Sequence, residues 1–216
     1  MGELISVNLA VPRHNPAKDT GVTGIDKHPT TEPVLVRAPG PKGPGLVGDQ
    51  IFDVAHHGGD DQAVYAYARE DLDFWEAELG RPLTGGVFGE NITTRGLDVT
   101  GALIGERWRV GEHVVLEVSS PRLPCGTFAH WMDEQGWIKR FTQVARPGAY
   151  FRVITPGAIR VGDPVVVEHR PDHEVTIGVT FRAVTLEPDL LPLLPPVEAL
   201  PKAMRERAAR RSAKKT

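Results

Sequence analysis

The sequence predicts a mainly β fold with a few helices, most simply a closed β-barrel, followed by a small helical extension. Short apolar segments recur along the first 170 residues and are separated by turn-forming residues. The 23 glycines and 19 prolines are spread along the chain, as expected for many short strands joined by tight turns. We therefore expect a barrel domain over residues 1–170 and a helical extension over residues 171–216.

The first half of the barrel domain is expected to hold two strands and one long helix. Residues 4–11 and the stretch from Pro33 are apolar and bounded by turns, so both are predicted strands. Asp60 or Asp61 can cap a helix that runs through AVYAYAREDLDFWEAEL and ends at Gly80. The apolar side chains that this helix would place near one face are Val64, Tyr67, Leu72, Trp75 and Leu79.

The second half is expected to be richer in strands. Val114, Leu116 and Val118 fit a strand with one buried face, preceded by another strand and a turn near Gly111. Two more strands joined by TPG are expected within residues 148–171. Alternation stops after about residue 173, where prolines interrupt short helices that could pack on the barrel or on a second copy in a homodimer. Partly helical structure is also expected around the aromatic residues Phe128, Trp131, Trp137 and Phe141.

The composition excludes several classes of protein. The formal net charge of −3 argues against a general nucleic-acid binder. One cysteine cannot form an internal disulfide, and the chain shows no signal-peptide pattern and no apolar run long enough to span a bilayer. We therefore expect a cytoplasmic protein without a membrane partner. A solvated helix end is expected for the basic residues Lys202, Arg205, Arg207, Arg210, Arg211, Lys214 and Lys215.

The stretch SSPRLPCGTF surrounds the single cysteine, Cys125. Pro124 stiffens the approach to it, and Gly126 lets a bulky group come close to the backbone. Arg122 would lower the pKa of the thiol if the two lie close together. A nucleophile, a soft metal ligand and a buried structural cysteine all remain open for Cys125.

The stretch HHGGDDQ precedes the predicted helix. Its histidines and aspartates match no closed zinc pattern, since no further cysteine is present. The paired glycines could present backbone N–H groups to an anion such as phosphate, and a simple capped turn is the alternative. The residues concerned are His56, His57, Gly58, Gly59, Asp60 and Asp61.

Two further loops carry polar groups that could serve a ligand. In GVFGENITT, the carboxylate of Glu90 and the amide of Asn91 could hydrogen-bond to the edge of a heterocycle, although a hairpin turn explains the pattern as well. In GIDKHP, the residues Asp26, Lys27 and His28 could bind a phosphate or deliver a proton, and a solvated charged loop is the alternative.

Taken in their order along the chain, these motifs resemble the MOSC family, which is named for the C-terminal domain of molybdenum cofactor sulfurase. The resemblance is to its small stand-alone bacterial members, which confer resistance to 6-hydroxylaminopurine and carry a three-helix extension. It spans most of the first 165 residues. The matching segments are residues 45–67, 86–97, 104–111, 119–125 and 149–163.

The resemblance implies a MOSC-type β-barrel with flanking helices that binds the molybdenum cofactor, a pterin with a dithiolene and a phosphate. Cys125 would be the metal ligand, and the reaction would reduce N-hydroxylated compounds to amines with electrons from a separate reductase. The expected catalytic residues are Cys125, Asp26, His28 and His57. The expected cofactor-binding residues are Lys27, His56, His57, Gly58, Gly59, Tyr65, Phe88, Gly89, Glu90, Asn91, Arg122, Cys125 and Arg152.

Two other functions are compatible with the sequence. A cofactor carrier or sulfur-transfer module would use the same cysteine without turnover of its own. A metal hydrolase would instead use His56, His57 and the neighbouring aspartates, and it would keep its zinc when Cys125 is replaced.

Overall fold

The computed structural model describes residues 1–17 and 19–213. Strands dominate the first 170 residues and helices follow them, as predicted. The strands are β1 (Gly2–Ala10), β2 (Arg13–His14), β3 (Val22–Thr23), β4 (Lys27–Pro29), β5 (Val34–Val36), β6 (Val64–Ala68), β7 (Ile92–Arg95), β8 (Arg107–Val110), β9 (Val114–Pro121), β10 (Ala149–Thr155), β11 (Gly157–Ile159) and β12 (Pro164–His169). The helices are α1 (Arg69–Leu79), α2 (Gly126–Met132), α3 (Trp137–Val144), α4 (Ile177–Thr185) and α5 (Lys202–Ala213), with 3₁₀ turns at Asp60–Gln62 and Pro188–Leu193.

Seven strands close into a barrel in the order β12, β8, β9, β10, β6, β7 and β1, and β1 pairs with β12 to complete the ring. Neighbouring strands are antiparallel except β6 and β7, which run parallel because α1 forms the crossover between them. Strand β4 extends the sheet beyond β1, and β2 pairs with β3 in a separate hairpin. The predicted barrel is therefore confirmed.

The predicted helix from Asp60 to Gly80 is wrong in its first part. Residues 64–68 form β6, a strand that is buried along its whole length between β7 and β10, and the helix begins at Arg69. A strand that is covered on both faces shows no alternation, so periodicity does not distinguish it from a helix. The predicted end is confirmed, because Gly80 adopts φ 65° and donates its N–H to Glu76 O at 2.9 Å.

The segment around GIDKHP also differs from the prediction of a loop. Lys27–Pro29 forms β4, which pairs antiparallel with Asn8–Ala10 of β1. The pairing fixes the backbone of Lys27, whose side chain is buried. This loop-like sequence is thus held as a strand by the barrel beside it.

An aromatic cluster packs beside the barrel, where α1, α2 and α3 meet the turn before β7. The Trp75 and Phe141 rings stack with their centroids 5.9 Å apart, and Phe88 meets Phe128 edge to face at 5.2 Å. The cluster confirms the expected helices after Cys125. Because Cys125 immediately precedes α2, the cluster also anchors the helix that begins beside the thiol.

The C-terminal extension packs on the barrel. Ile104 N–H donates to Val175 O at 3.0 Å, and Ile177 N–H donates to Ala102 O at 2.9 Å. Of the basic residues near the end of the chain, Lys214 and Lys215 lie outside the described residues. Within residues 1–17 and 19–213, no helix is long and apolar enough to cross a membrane. The barrel interior and the extension share one apolar core, to which the extension contributes Ile177, Leu191, Leu194, Val197, Leu200 and Ala208.

Candidate functional site

A cleft of about 800 Å³, including its solvent-open mouth, lies between the barrel rim, the β2–β3 hairpin and the start of α2. It brings together residues from segments that are distant in the sequence. The residues expected from the sequence that line it are Lys27, His57, Gly58, Tyr65, Phe88, Gly89, Asn91, Arg122 and Cys125.

Cys125 lies in the cleft at the start of α2 and is partly buried. Burial disfavours its thiolate, but a hydrogen bond with His57, the charge of Arg122 and the Phe128 N–H outweigh that effect and lower the pKa of the thiol to about 7. A substantial thiolate fraction is therefore present at neutral pH, as a nucleophile or a metal ligand requires.

Arg122 provides a buried cation in the cleft. Its side chain lies over the Phe128 ring, with Cζ 3.5 Å from the ring centroid, and 5.5 Å from the centroid of Tyr65. The residue is 6% exposed, and its Nη1 is buried without a hydrogen-bond partner. Within the part of the chain that the structure describes, no carboxylate pairs with Arg122. A buried guanidinium in this state favours an anionic ligand.

Lys27 differs from Arg122 because its charge is already paired. Its Nζ donates to both carboxylate oxygens of Asp49, at 2.5 and 2.6 Å. Burial lowers the pKa of Lys27, while Asp49 and Glu90 oppose that shift. Asp49 also accepts from Asn91 Nδ2 at 2.8 Å and from Ala10 N–H at 2.8 Å. Asp49 is a cleft residue that sequence reasoning missed, since nothing local in LVGDQ indicates its partners.

Glu90 and Asn91 shape the turn before β7. The Glu90 carboxylate accepts from Gly86 N–H at 2.7 Å and Phe88 N–H at 3.0 Å, and it does not line the cleft. Burial raises the pKa of Glu90, although these hydrogen bonds oppose the shift. Asn91 lines the cleft, but its Oδ1 accepts from Tyr65 N–H at 3.1 Å. Their hydrogen bonds therefore stabilise the protein's own backbone.

Three of the groups expected to deliver protons lie outside the cleft lining. Asp26 binds Arg13 Nε at 2.6 Å and His28 Nε2 at 3.0 Å, and the His28 side chain is largely exposed. His56 is exposed as well and binds Asp53 at 2.9 Å. Of the four expected catalytic residues, the cleft brings together Cys125 and His57.

The HHGG turn uses much of its backbone internally. The His56 and His57 N–H groups donate to Asp53 O at 3.2 and 3.0 Å, and the Gly59 N–H donates to Gly43 O at 3.0 Å. Gly58 lines the cleft at φ 83°, and a Cβ there would lie 2.7 Å from Gly43 O. The two glycines therefore allow close packing of this turn against the preceding loop.

Arg152 lies away from the cleft and joins three parts of the fold. Its Nε binds Asp61 Oδ1 at 2.7 Å, and its Nη1 binds Glu117 Oε1 at 3.3 Å and Ala199 O at 2.7 Å. Ala199 belongs to the C-terminal extension. Arg152 thus connects the extension, strand β9 and the segment that follows the HHGG turn.

The cleft also contains residues that sequence reasoning did not select. Gln62 Oε1 is buried and has no hydrogen-bond partner within residues 1–17 and 19–213. Burial raises the pKa of Tyr150, which also lines the cleft, although Arg122 opposes that shift. Gln62 and Tyr150 lie in motifs already singled out, HHGGDDQ and AYFRV, but their orientation depends on the barrel.

Within residues 1–17 and 19–213, no group of three or more His, Cys, Asp or Glu side chains is arranged to hold a metal ion. His56 and His57 diverge, since the first binds Asp53 and the second contacts Cys125. The hydrolase hypothesis therefore has no ligand set among the described residues.

Comparison with known proteins identifies the family. A model of the MOSC domain matches residues 53–166, more than half of the chain, and this range includes His57, Arg122 and Cys125. The chain is a member of the MOSC domain family. The MOSC protein is 33% identical to the uncharacterized protein YflK of Bacillus subtilis, over 83% of this chain and 79% of that protein.

Further relatives support this assignment. YiiM of Escherichia coli is 30% identical over 58% of the MOSC protein and 57% of its own length. A protein named Reductase from Gibberella moniliformis is 32% identical over 59% of this chain, a match that covers 23% of the fungal protein. The crystal structure of YiiM from Geobacillus stearothermophilus is 29% identical and superposes with a TM-score of 0.79, covering 98% of this chain and 99% of that one. The expected MOSC-type barrel with a helical extension is thereby confirmed.

Proposed function

We propose that this MOSC protein binds the molybdenum cofactor in its cleft and reduces N-hydroxylated compounds, such as N-hydroxylated purines, to amines. The observation that carries the proposal is the pairing, in one cleft, of a thiol of lowered pKa, Cys125, with a buried cation, Arg122, whose Nη1 has no hydrogen-bond partner among the described residues. The MOSC family takes its name from molybdenum cofactor sulfurase, and one relative is named Reductase.

The residues present fit this cofactor. A thiolate suits a soft metal centre, and Cys125 would be the protein ligand to molybdenum. Arg122 Nη1 would bind an anionic group of the cofactor, and the unpartnered Gln62 Oε1 would accept from an N–H of the pterin. Apart from the chain neighbours of Gly126 and the backbone of its own helix, no heavy atom of the described residues lies within 4 Å of its Cβ position, so there is room beside the thiol. When bound, the cofactor supplies two-electron redox chemistry.

Lys27 is a weaker candidate for binding the cofactor phosphate than the sequence suggested. Its ammonium and the Asp49 carboxylate neutralise each other in a buried pair. We infer that this pair holds Asn91 and β1 in place beside the cleft, through the hydrogen bonds that Asp49 accepts from Asn91 Nδ2 and Ala10 N–H.

His57 is the best placed of the four groups considered as proton donors, Asp26, His28, His56 and His57. Reduction of an N-hydroxylated compound breaks the N–O bond, consumes two electrons and two protons, and releases the amine and water. His57 lines the cleft and hydrogen-bonds with Cys125, whereas Asp26, His28 and His56 lie outside the lining and are bound to other side chains. An imidazole can supply one of these protons near neutral pH.

The electrons are proposed to come from a separate reductase, since the sequence contains no nucleotide-binding fingerprint. In the fungal relative named Reductase, the matched segment is 23% of the whole protein. That relative therefore carries much additional chain next to its matched segment, which is consistent with electrons reaching the cleft from another protein module.

Metal analysis tests the proposal. Protein purified from a host that makes the cofactor is expected to contain nearly equimolar molybdenum and pterin, and the Cys125→Ala variant is expected to lose the metal. His130→Ala, which changes an exposed residue of α2, is the matched control and should retain it. Molybdenum retained at the wild-type level by Cys125→Ala would contradict the ligand role.

A reductase assay separates the enzyme from a cofactor carrier. The molybdenum-loaded protein is expected to reduce N-hydroxylated purines with an artificial electron donor. Loaded protein that reduces none of them would favour the carrier or sulfur-transfer function. Activity that persists in molybdenum-free protein would overturn the proposed cofactor dependence.

A further inference from the structure

The cleft has a second wall, which is built from the β2–β3 hairpin. Asn15, Thr20, Val22 and Thr23 line the cleft from this side. The hairpin is closed by strand pairing and by a hydrogen bond from Asn15 N–H to Gly21 O at 2.9 Å. It lies outside residues 53–166, the range matched by the MOSC family model. The hairpin wall is therefore separate from the segments that carry Cys125, Arg122 and His57.

The hairpin wall is anchored at two ends. At its base, a Cβ on Gly24 would lie 2.5 Å from Gln50 O, so the two backbones are in close contact. At its other end, Asn15 Nδ2 donates to Thr127 Oγ1 at 3.1 Å. Asn15 is 2% exposed, and Thr127 lies on the first turn of α2, two residues after Cys125. Among the described residues, the Asn15–Thr127 hydrogen bond thus joins the hairpin wall to the helix that begins after the cysteine.

The chemistry of the hairpin wall differs from that of the segment around Cys125. Among the described residues, the groups of the hairpin that line the cleft are an amide, two hydroxyls and a valine. The charged residue Arg13 pairs with Asp26 and does not line the cleft. A multiply anionic cofactor would find its countercharge at Arg122, three residues before Cys125. The hairpin wall instead suits the uncharged body of a second ligand, with hydrogen-bonding groups at its edge.

We propose that the hairpin wall is the substrate-binding side of the cleft and that the Asn15–Thr127 hydrogen bond limits the size of the substrate that reaches Cys125. The inference rests on the proposed reduction of N-hydroxylated compounds and adds a determinant of substrate size. The hydrogen bond holds the hairpin against the helix that begins at the thiol. Loss of this bond frees that end of the hairpin, while the packing at Gly24 keeps its base in place.

The test compares a small and a bulky substrate in variants that lack the hydrogen bond. Thr127→Val keeps the shape of the side chain and removes the hydroxyl, and Asn15→Ala removes the other partner. The substrates are 6-hydroxylaminopurine and its ribonucleoside. Each variant is expected to raise kcat/KM for the ribonucleoside relative to the free base by about three- to tenfold, as loss of one neutral hydrogen bond permits. The double variant should match Asn15→Ala, in which the contact with Thr127 is already lost together with the hydrogen bond from Ala17 N–H to Asn15 Oδ1.

His14→Ala is the matched control, since His14 belongs to the same hairpin but is exposed and lies outside the cleft lining. It should leave the substrate ratio unchanged. Binding of the amine products is an independent readout. Calorimetry on metal-free protein measures the affinities for adenosine and adenine. The ratio of adenosine affinity to adenine affinity is expected to be higher for Thr127→Val than for the wild type.

The outcomes separate this inference from the proposed function. Reduction of both substrates with an unchanged ratio in all variants would overturn the role of the Asn15–Thr127 contact and leave the reductase function standing. Loss of molybdenum from Thr127→Val would instead assign the hairpin wall to the cofactor. If the wild type and all variants are loaded with molybdenum but reduce neither substrate, the proposed function fails, and the adenosine-to-adenine binding ratio still decides the size limit.

Discussion

At the residue scale, the Cys125 thiol lies where several groups act on its ionisation in opposite directions. Burial is the largest effect and disfavours the thiolate. The hydrogen bond with His57, the Arg122 charge and the Phe128 N–H act the other way and lower the pKa to about 7. A lone cysteine thus becomes a thiolate near neutral pH because His57, from the HHGGDDQ motif, meets Arg122 and Phe128 of its own motif.

The pH dependence of Cys125 alkylation checks this arrangement. In metal-free protein, the rate of reaction with iodoacetamide is expected to rise with pH and to reach half its maximum near pH 7, because the thiolate predominates above the pKa. His57→Ala should move the midpoint upward, since it removes a group that stabilises the thiolate. His56→Ala is the control and should not move it, because His56 is exposed and binds Asp53. An unchanged midpoint in His57→Ala would show that His57 does not stabilise the thiolate.

At the scale of elements, the turn between α1 and β7 connects the aromatic cluster with the cleft. Gly86 adopts φ 91°, and a Cβ there would lie 2.2 Å from Lys27 O on β4. The Glu90 carboxylate binds the N–H groups of Gly86 and Phe88 from inside the turn. Because Lys27, Phe88, Gly89 and Asn91 line the cleft, this close packing holds two segments of its lining in place.

Substitution of Gly86 is expected to destabilise the protein strongly. Gly86→Ala should lower the free energy of unfolding by about 3 kcal/mol, because it combines a left-handed backbone with a clash against Lys27 O. Gly40→Ala is the matched control, with φ 76° but no atom within 4 Å of its Cβ position, and should cost about 1 kcal/mol. Denaturant unfolding measures both variants, and equal losses would show that the contact with Lys27 is unimportant.

At the scale of the whole molecule, the barrel and the C-terminal extension are joined by buried contacts. Ile177, Leu194 and Leu200 belong to the same apolar core as the barrel strands. Arg152 adds a polar connection from β10 to Ala199 O. The boundary near residue 170 therefore separates two kinds of secondary structure, and the apolar core continues across it.

Truncation tests whether the extension is required for folding. A chain that ends at residue 172 is expected to lose the cooperative thermal transition, because apolar barrel side chains that pack on the extension become exposed. A chain that ends at Pro201 retains α4 and the 3₁₀ turn at Pro188–Leu193, and should keep a cooperative transition. A chain ending at residue 172 that unfolds cooperatively near the wild-type temperature would show that residues 1–172 fold independently.

Much of the fold was predictable from the sequence because it depends on local patterns. Turn residues between short apolar segments indicated the barrel, and the loss of alternation after residue 173 indicated the helical extension. Gly80 marked the end of α1 because a left-handed C-cap is a local requirement. The ordered motifs around His57, Glu90 and Cys125 identified the family before any contact was known.

Tertiary structure decided which side chains of those motifs face the cleft. Burial on both faces made Val64–Ala68 a strand within a stretch that resembles a helix. Glu90 satisfies backbone N–H groups, and Arg152 binds the extension.

The sequence by itself determined the family and the barrel and singled out Cys125 as a candidate, because periodicity, turn chemistry and motif order are properties of neighbouring residues. The tertiary structure alone decided that Arg122 has no anionic partner among the described residues, whereas Lys27 is paired with Asp49. It also decided that Asn15 reaches Thr127 across 112 positions. Such contacts follow from the closure of the barrel. Closure brings together residues that are far apart in the sequence, and no local sequence pattern indicates that they are neighbours in space.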